Sequence, residues 1–130
     1  MAGERILIVE DNEKNLKLVR DVLQHHGYQT VEARTAEDGI ELAAADPPDL
    51  VLMDIELPGI GGLEAIGQLK SDQRTAAIPV CALTASAMEG DRERCLRAGF
   101  DDYLTKPISV SEFPEQVRGW LGGARGVSSA

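Results

Sequence analysis

Four carboxylates stand in two tight pairs along the chain: Glu10 beside Asp11, and Asp54 two residues before Glu56. Each pair follows a short apolar run, Ile6-Leu7-Ile8-Val9 in the first case and Leu50-Val51-Leu52-Met53 in the second. Carboxylates a few ångströms apart repel, so either one takes up a proton or a cation neutralises them. A few hard oxygen ligands that leave room for water suit magnesium, with manganese as the alternative. Any one of these acids could equally be a solvated strand end; the fourfold coincidence is what points to a metal. Two further side chains share the placement. Thr84 follows the apolar run Val80-Cys81-Ala82-Leu83, and Lys106, with Pro107 behind it, follows the stretch from Asp102 to Thr105. A hydroxyl and an ammonium facing a carboxylate and a metal form a cage for an anion with several oxygens, such as a phosphoryl group. In isolation Lys106 is an ordinary ion-pair partner for Asp54 or Asp11, and Thr84 a helix cap.

For these residues to meet, the elements carrying them must converge. Short, uniformly apolar runs suit strands buried on both faces, and two weaker strands fit Gln29 to Glu32 and Asp102 to Thr105. Amphipathic stretches lie between them. Leu16, Val19, Val22 and Leu23 share one face of a first helix, and Gly27 stands where a left-handed residue would end it. Thr35 with Asp38 resembles a capping box for a second helix, which Pro47-Pro48 stops. A third helix after Gly62 is expected to turn Leu63, Ile66 and Leu69 inward. Ser86 with Glu89 forms a capping box for a fourth, ending near Ala98-Gly99. A fifth carries Val110, Phe113, Val117, Trp120 and Leu121 on one face, with Ser111 favoured over Ser109 as its cap because Pro114 must stay in the first turn. The alternation of strand and helix predicts an α/β fold: one doubly wound five-stranded parallel sheet with right-handed crossovers and helices on both faces. If the first and third strands are neighbours, as in the order 2-1-3-4-5, the acids converge at the switch point beyond the carboxyl ends of the strands.

Composition narrows the function. A chain of 130 residues is one domain, divided here into a lead at 1–4, a folded body at 5–122 and a flexible tail at 123–130. Its net charge of −9 repels nucleic-acid phosphates and anionic lipid and favours cations or basic partners. Cys81 and Cys95 form no metal-binding or disulfide pattern, and no apolar stretch is long enough to span a bilayer, so a cytoplasmic protein is expected. The glycines at 59, 61 and 62 lack phosphate-loop spacing and read as a turn after Pro58. His25 and His26 near the end of the first helix suit its dipole, not a metal.

The runs ILIVEDN, LVLMDIELPGIGG, ALTA and LTKP, in this order and spacing, resemble the receiver domain of two-component response regulators, CheY-like in fold, over about residues 5 to 122. EDN, MDIELP and KPISV are especially similar to single-domain regulators of the DivK type. The resemblance implies that Asp54 accepts a phosphoryl group from a histidine kinase or histidine phosphotransfer protein. Glu10, Asp11 and Asp54 would hold magnesium, with Glu56 offering its backbone carbonyl. Thr84 would turn toward the phosphoryl group, Lys106 would be the cation of the site, and Tyr103 the aromatic switch. Lys106-Pro107 would be a cis peptide, since X-Pro is where cis bonds are accessible. Glu56 and Ser86 occupy positions that tune how fast the phosphate is lost. By the same resemblance the protein is not an enzyme beyond magnesium-dependent self-phosphorylation and self-dephosphorylation. It would act without an output domain, through a protein partner on the surface of the fourth helix, fifth strand and fifth helix, as a monomer or a weak phosphorylation-dependent dimer.

Three rival readings stand beside this one. A phosphatase using Asp54 as nucleophile would resemble haloacid-dehalogenase-like enzymes, but Glu56 replaces their second aspartate and the length leaves no room for a cap domain. A flavodoxin-like FMN carrier would need a Ser/Thr-rich loop where Glu10 and Asp11 stand. A degenerate receiver acting only as a binding module is disfavoured because competent residues occupy all the central positions.

Overall fold

The computed structural model describes residues 3–57, 60–85, 90–106 and 108–123. Five strands, β1 (Arg5–Val9), β2 (Gln29–Ala33), β3 (Leu50–Asp54), β4 (Val80–Thr84) and β5 (Asp102–Thr105), alternate with α1 (Glu13–His25), α2 (Ala36–Ala45), α3 (Gly62–Ser71), α4 (Asp91–Ala98) and α5 (Phe113–Gly123). All neighbouring strands are parallel, in the order β2-β1-β3-β4-β5. The chain therefore winds outward in both directions from the β1/β3 pair, and a crevice opens above the carboxyl ends of those two strands.

The period of two along each strand divides the core into two layers. Ile6, Ile8, Leu50, Leu52, Cys81 and Leu83 pack with Leu16, Val19 and Leu23 of α1 and Phe113, Val117 and Leu121 of α5. Leu7, Val9, Val51, Met53, Val80 and Ala82 pack on the other face with α2, α3 and α4, where Ile66, Leu69 and Cys95 are buried. The two cysteines are free and lie on opposite faces of the sheet. Burial pushes the Cys81 thiol well above its ordinary pKa, which leaves it unreactive.

Local signals account for most boundaries. Asn12 caps α1 by accepting from the Asn15 amide, and Thr35 caps α2 by accepting from the Asp38 amide. Gly27 has φ +91°, and the Tyr28 amide reaches back to the Leu23 carbonyl, so the chain turns directly into β2. Gly62 is required where it stands: a Cβ there would lie 2.5 Å from the Ile55 Cα.

Four expectations are corrected. Leu63 is exposed, because the inward stripe of α3 is Gly62, Ala65, Ile66 and Leu69, and Leu63 lies well outside that face. α4 opens at Asp91 behind a left-handed Gly90 (φ +90°) with no side-chain cap, so Ser86 does not cap it; Ser86 to Glu89 lie outside the described residues. Val110 is 57% exposed in a turn ahead of α5, and the hydroxyl that accepts from the Glu112 amide is that of Ser109, not Ser111. Because that turn precedes the helix, Pro114 still sits in the first turn of α5. α5 ends at Gly123, and 124–130 lie outside the described residues.

Candidate functional site

The alternation that sorts the core also aims the site. Continued past Ile8, Leu52 and Leu104, the same parity brings Glu10, Asp54 and Lys106 to one side of the sheet at its carboxyl edge. Lys106 Nζ lies 2.8 Å from Asp54 Oδ2 and 2.9 Å from Glu10 Oε1. Glu10 and Asp54 are 1% and 3% exposed, so this is a cluster of charges shielded from water. The register places Asp54 opposite Leu83 and Thr84 opposite Thr105, which fixes the acid, the hydroxyl and the lysine on adjacent strands.

Backbone donors complete the arrangement. The second Asp54 oxygen, Oδ1, accepts from the Glu56 amide at 2.8 Å, and Glu10 Oε2 accepts from the Asn12 amide at 3.1 Å. Glu10 Oε1 approaches Lys106 at ion-pair distance but out of hydrogen-bond alignment, and it is buried without a hydrogen bond. Burial drives the Glu10 pKa upward, with the Lys106 ammonium pulling against it and the Asp54 carboxylate adding to it. For Lys106, burial acts to lower the pKa, yet the hydrogen bond to Asp54 and the contact with Glu10 outweigh it and hold the ammonium above its ordinary value.

Asp11, exposed at the mouth, supplies a third acid. One carboxylate oxygen each from Glu10, Asp11 and Asp54 lie within 4.8 Å of one another. Three converging carboxylates against one ammonium leave negative charge uncompensated, and one buried oxygen lacks a hydrogen bond. A hard divalent cation fits that donor set.

Thr84, buried, belongs to the opposite parity, with Val80 and Ala82, on the α4 side. Its hydroxyl donates to Glu56 Oε2 at 2.9 Å, and the Ala85 amide donates to Glu56 Oε1 at 3.1 Å. Beyond the backbone carbonyl expected of it, Glu56 has a side chain that spans from the β3 end to the β4 end. Nothing in the local sequence signals this contact, which joins residues 28 positions apart. Tyr103 is half-buried against the α2/α3/α4 layer. One position before it, Asp102 accepts from Trp120 Nε1 of α5 at 2.6 Å, tying β5 to the last helix. The expected cis peptide at Lys106-Pro107 and the Ser86 position fall on Pro107 and Ser86, outside the described residues.

A doubly wound parallel sheet with a buried acid pair and a lysine at its switch point defines an α/β domain of the flavodoxin-like class. The profile of the response regulator receiver domain matches residues 6–118, and the chain belongs to that family. It is thus a response regulator of two-component signal transduction. It is 47% identical over 119 residues to the polar-differentiation response regulator DivK of Brucella ovis, covering 92% of this chain and 97% of that protein. Among solved structures it is similar to the receiver domain of a sensor histidine kinase from Pseudomonas aeruginosa PAO1, with a magnesium ion coordinated in the active site cleft. That match has a TM-score of 0.85 and 35% identity, and covers 92% of this chain and 98% of the other. A CheY-like receiver domain protein from Methanospirillum hungatei JF-1 matches with a TM-score of 0.86 and 27% identity, covering 95% and 98%. No helix among the described residues is long and apolar enough to cross a membrane.

Proposed function

We propose that Asp54 is the phosphoacceptor and that Glu10, Asp11 and Asp54 hold magnesium, with the Glu56 carbonyl as a further ligand and manganese as an alternative ion. The observation that carries this reading is the Asp54 carboxylate itself: buried, held at one oxygen by Lys106 and at the other by the Glu56 amide, with Glu10 and Asp11 oxygens beside it. Magnesium, when bound, supplies positive charge that lets one anion approach another and neutralises charge developing on the phosphoryl oxygens.

The chain's own residues do the rest. Lys106 and the Glu56 amide fix the orientation of Asp54, so that one carboxylate oxygen can attack in line without reorganisation. With a phosphohistidine donor, that oxygen forms a bond to phosphorus while the P–N bond breaks. The electron pair leaves on the imidazole, which departs neutral when its other nitrogen carries a proton. Lys106 stabilises charge on the transferring group, as an ammonium within hydrogen-bond reach does. Hydrolysis reverses the modification: water attacks phosphorus, the P–O bond to Asp54 breaks, and carboxylate and inorganic phosphate result.

The donor on this reading is a histidine kinase or histidine phosphotransfer protein. A phosphoryl group adds about 1.5 to 2 negative charges and draws the Thr84 hydroxyl, shifting the segment after β4 and the packing of Tyr103. The surface of α4, β5 and α5 would carry that change to a protein partner or a second copy of the chain. Intact-mass spectrometry after incubation with acetyl phosphate and magnesium tests the acceptor. Wild type is expected to gain one phosphoryl group, lost with EDTA present, and Asp54→Asn to gain none. A phosphorylated Asp54→Asn, or a wild type that stays unmodified even with a phosphohistidine domain as donor, would overturn it.

A further inference from the structure

Glu56 places one carboxylate oxygen on the Thr84 hydroxyl and the other on the Ala85 amide. These two donors sit side by side at the β4 end, one side chain and one backbone, on the strand next to the one that ends in Asp54. Two adjacent donors meeting two oxygens of one anionic group is the arrangement that binds a phosphoryl group as well as a carboxylate. We propose that the Glu56 carboxylate is a built-in occupant of this donor pair, standing where phosphoryl oxygens would bind and competing with them. Glu56 is thereby a positioning residue: it holds Thr84 and Ala85 in the unphosphorylated arrangement and must release both before they can turn to the modified Asp54. The proposal rests on the reading of Asp54 as the phosphoacceptor.

The geometry makes the competition direct. Thr84 is buried, and its hydroxyl has a single proton to give, so it cannot serve Glu56 and a phosphoryl oxygen together. Glu56 is otherwise exposed, so its carboxylate can leave to solvent without being stranded. Its own amide stays on Asp54, 2.8 Å from Oδ1, so swinging the side chain away leaves the acceptor's orientation in place. A carboxylate at this position is therefore a restraint separable from the rest of the site.

The test compares wild type with Glu56→Ala, Glu56→Gln and Glu64→Ala, the last removing a negative charge from exposed Glu64 on α3 without touching the donor pair. Two readouts are followed. The first is the rate of phosphorylation by acetyl phosphate and magnesium, in which an Asp54 oxygen bonds to phosphorus as the P–O bond to acetate breaks and acetate carries off the electron pair. The second is the Ala85 amide resonance and its hydrogen exchange, with no phosphodonor, in EDTA and then in magnesium.

Loss of a charge-assisted hydrogen-bond pair is expected to raise the rate roughly tenfold in Glu56→Ala and less in Glu56→Gln, which keeps one acceptor oxygen. Glu64→Ala is expected to match wild type. In Glu56→Ala the Ala85 amide is expected to shift and exchange faster without any phosphodonor, while in wild type it does so only with beryllofluoride and magnesium. Equal rates in wild type and Glu56→Ala would overturn the competition and leave Asp54 standing as acceptor. A Glu64→Ala rate as high as that of Glu56→Ala would assign the effect to net charge and overturn it too. Release of the wild-type Ala85 amide by magnesium alone would do the same, since the metal would then clear the donors before any phosphoryl group arrived. If no protein gains a phosphoryl group, the acceptor reading and the competition fall together.

Discussion

Glu10 and Asp54 share one ammonium, that of Lys106, in a space almost closed to water. Two buried carboxylates against one cation leave a charge that is costly to hold in the absence of metal. The raised pKa of Glu10 reports that cost and sets a pH dependence. The folded state binds this proton more tightly than the unfolded chain, whose Glu pKa is about 4.3. The group therefore opposes folding progressively as pH rises from that value through the raised one, and the penalty is complete above it. In EDTA, Glu10→Gln is expected to unfold at higher temperature than wild type at pH 7, by roughly 1 kcal/mol, or a few degrees for a domain of this size. The difference should shrink toward pH 4.5, and added magnesium should raise the wild-type midpoint far more than the variant's. Thermal unfolding followed by circular dichroism checks both; a variant less stable than wild type in EDTA at pH 7 would contradict the assignment of strain to Glu10. At this scale the acids and the lysine were legible because each stands at a strand end or within two residues of one. The Glu56 side chain was not, because its partners come from another strand and no local pattern records a contact across the sheet.

Helices and strands were legible wherever periodicity and capping agreed, as at Thr35, and misread where a loop intervened. Ser86-x-x-Glu89 has the letters of a capping box, yet α4 opens only at Asp91 behind Gly90. Val110 keeps the spacing of the α5 face but lies before the helix, where spacing has no geometric meaning. The glycines of α2 and α3 show how element packing hides in single residues. At Gly62 a methyl group would meet the Ile55 Cα at 2.5 Å, and backbone cannot rotate away. At Gly39 the nearest atom is the Val9 Cγ2 at 2.7 Å, a side chain that can shift in part. Gly39→Ala also recovers about 1 kcal/mol of helix propensity in a helix interior. Gly62→Ala is therefore expected to destabilise by roughly 2 to 3 kcal/mol and Gly39→Ala by less than about 1.5. Urea denaturation at constant m-value orders the two, and Gly39→Ala proving the more damaging would show that the β3–α3 junction yields more readily than the β1–α2 contact. Because Ile55 follows Asp54 directly, the Gly62→Ala shift should also slow phosphorylation more than Gly39→Ala does.

Across the whole molecule, short uniformly apolar runs alternating with stretches of period 3.6 were enough to foresee a parallel sheet sandwiched between two layers. The strand order was not contained in that pattern; it came with the resemblance, and only the order brings β1 and β3 together. The same scale governs how the site meets its donor. A net charge of −9 surrounds a crevice lined by Glu10, Asp11, Asp54 and Glu56, with Lys106 as the cation bound inside it. A small anionic donor such as acetyl phosphate must climb that potential, whereas a protein donor can offset it with basic residues at the contact. Raising ionic strength from about 0.01 to 0.15 M shortens the screening length from roughly 30 to 8 Å, which removes most of the long-range repulsion. At saturating magnesium, the second-order rate constant with acetyl phosphate is expected to rise about two- to fivefold over that range. With a phosphotransfer protein carrying a basic contact face it should fall instead, because screening then weakens attraction. A rate with acetyl phosphate that falls with salt would mean that the bound magnesium and Lys106 outweigh the surrounding acids at the distance where the donor is captured. Entry would then be governed by the pocket's own cations, and the charge of the molecule as a whole would matter only for protein partners.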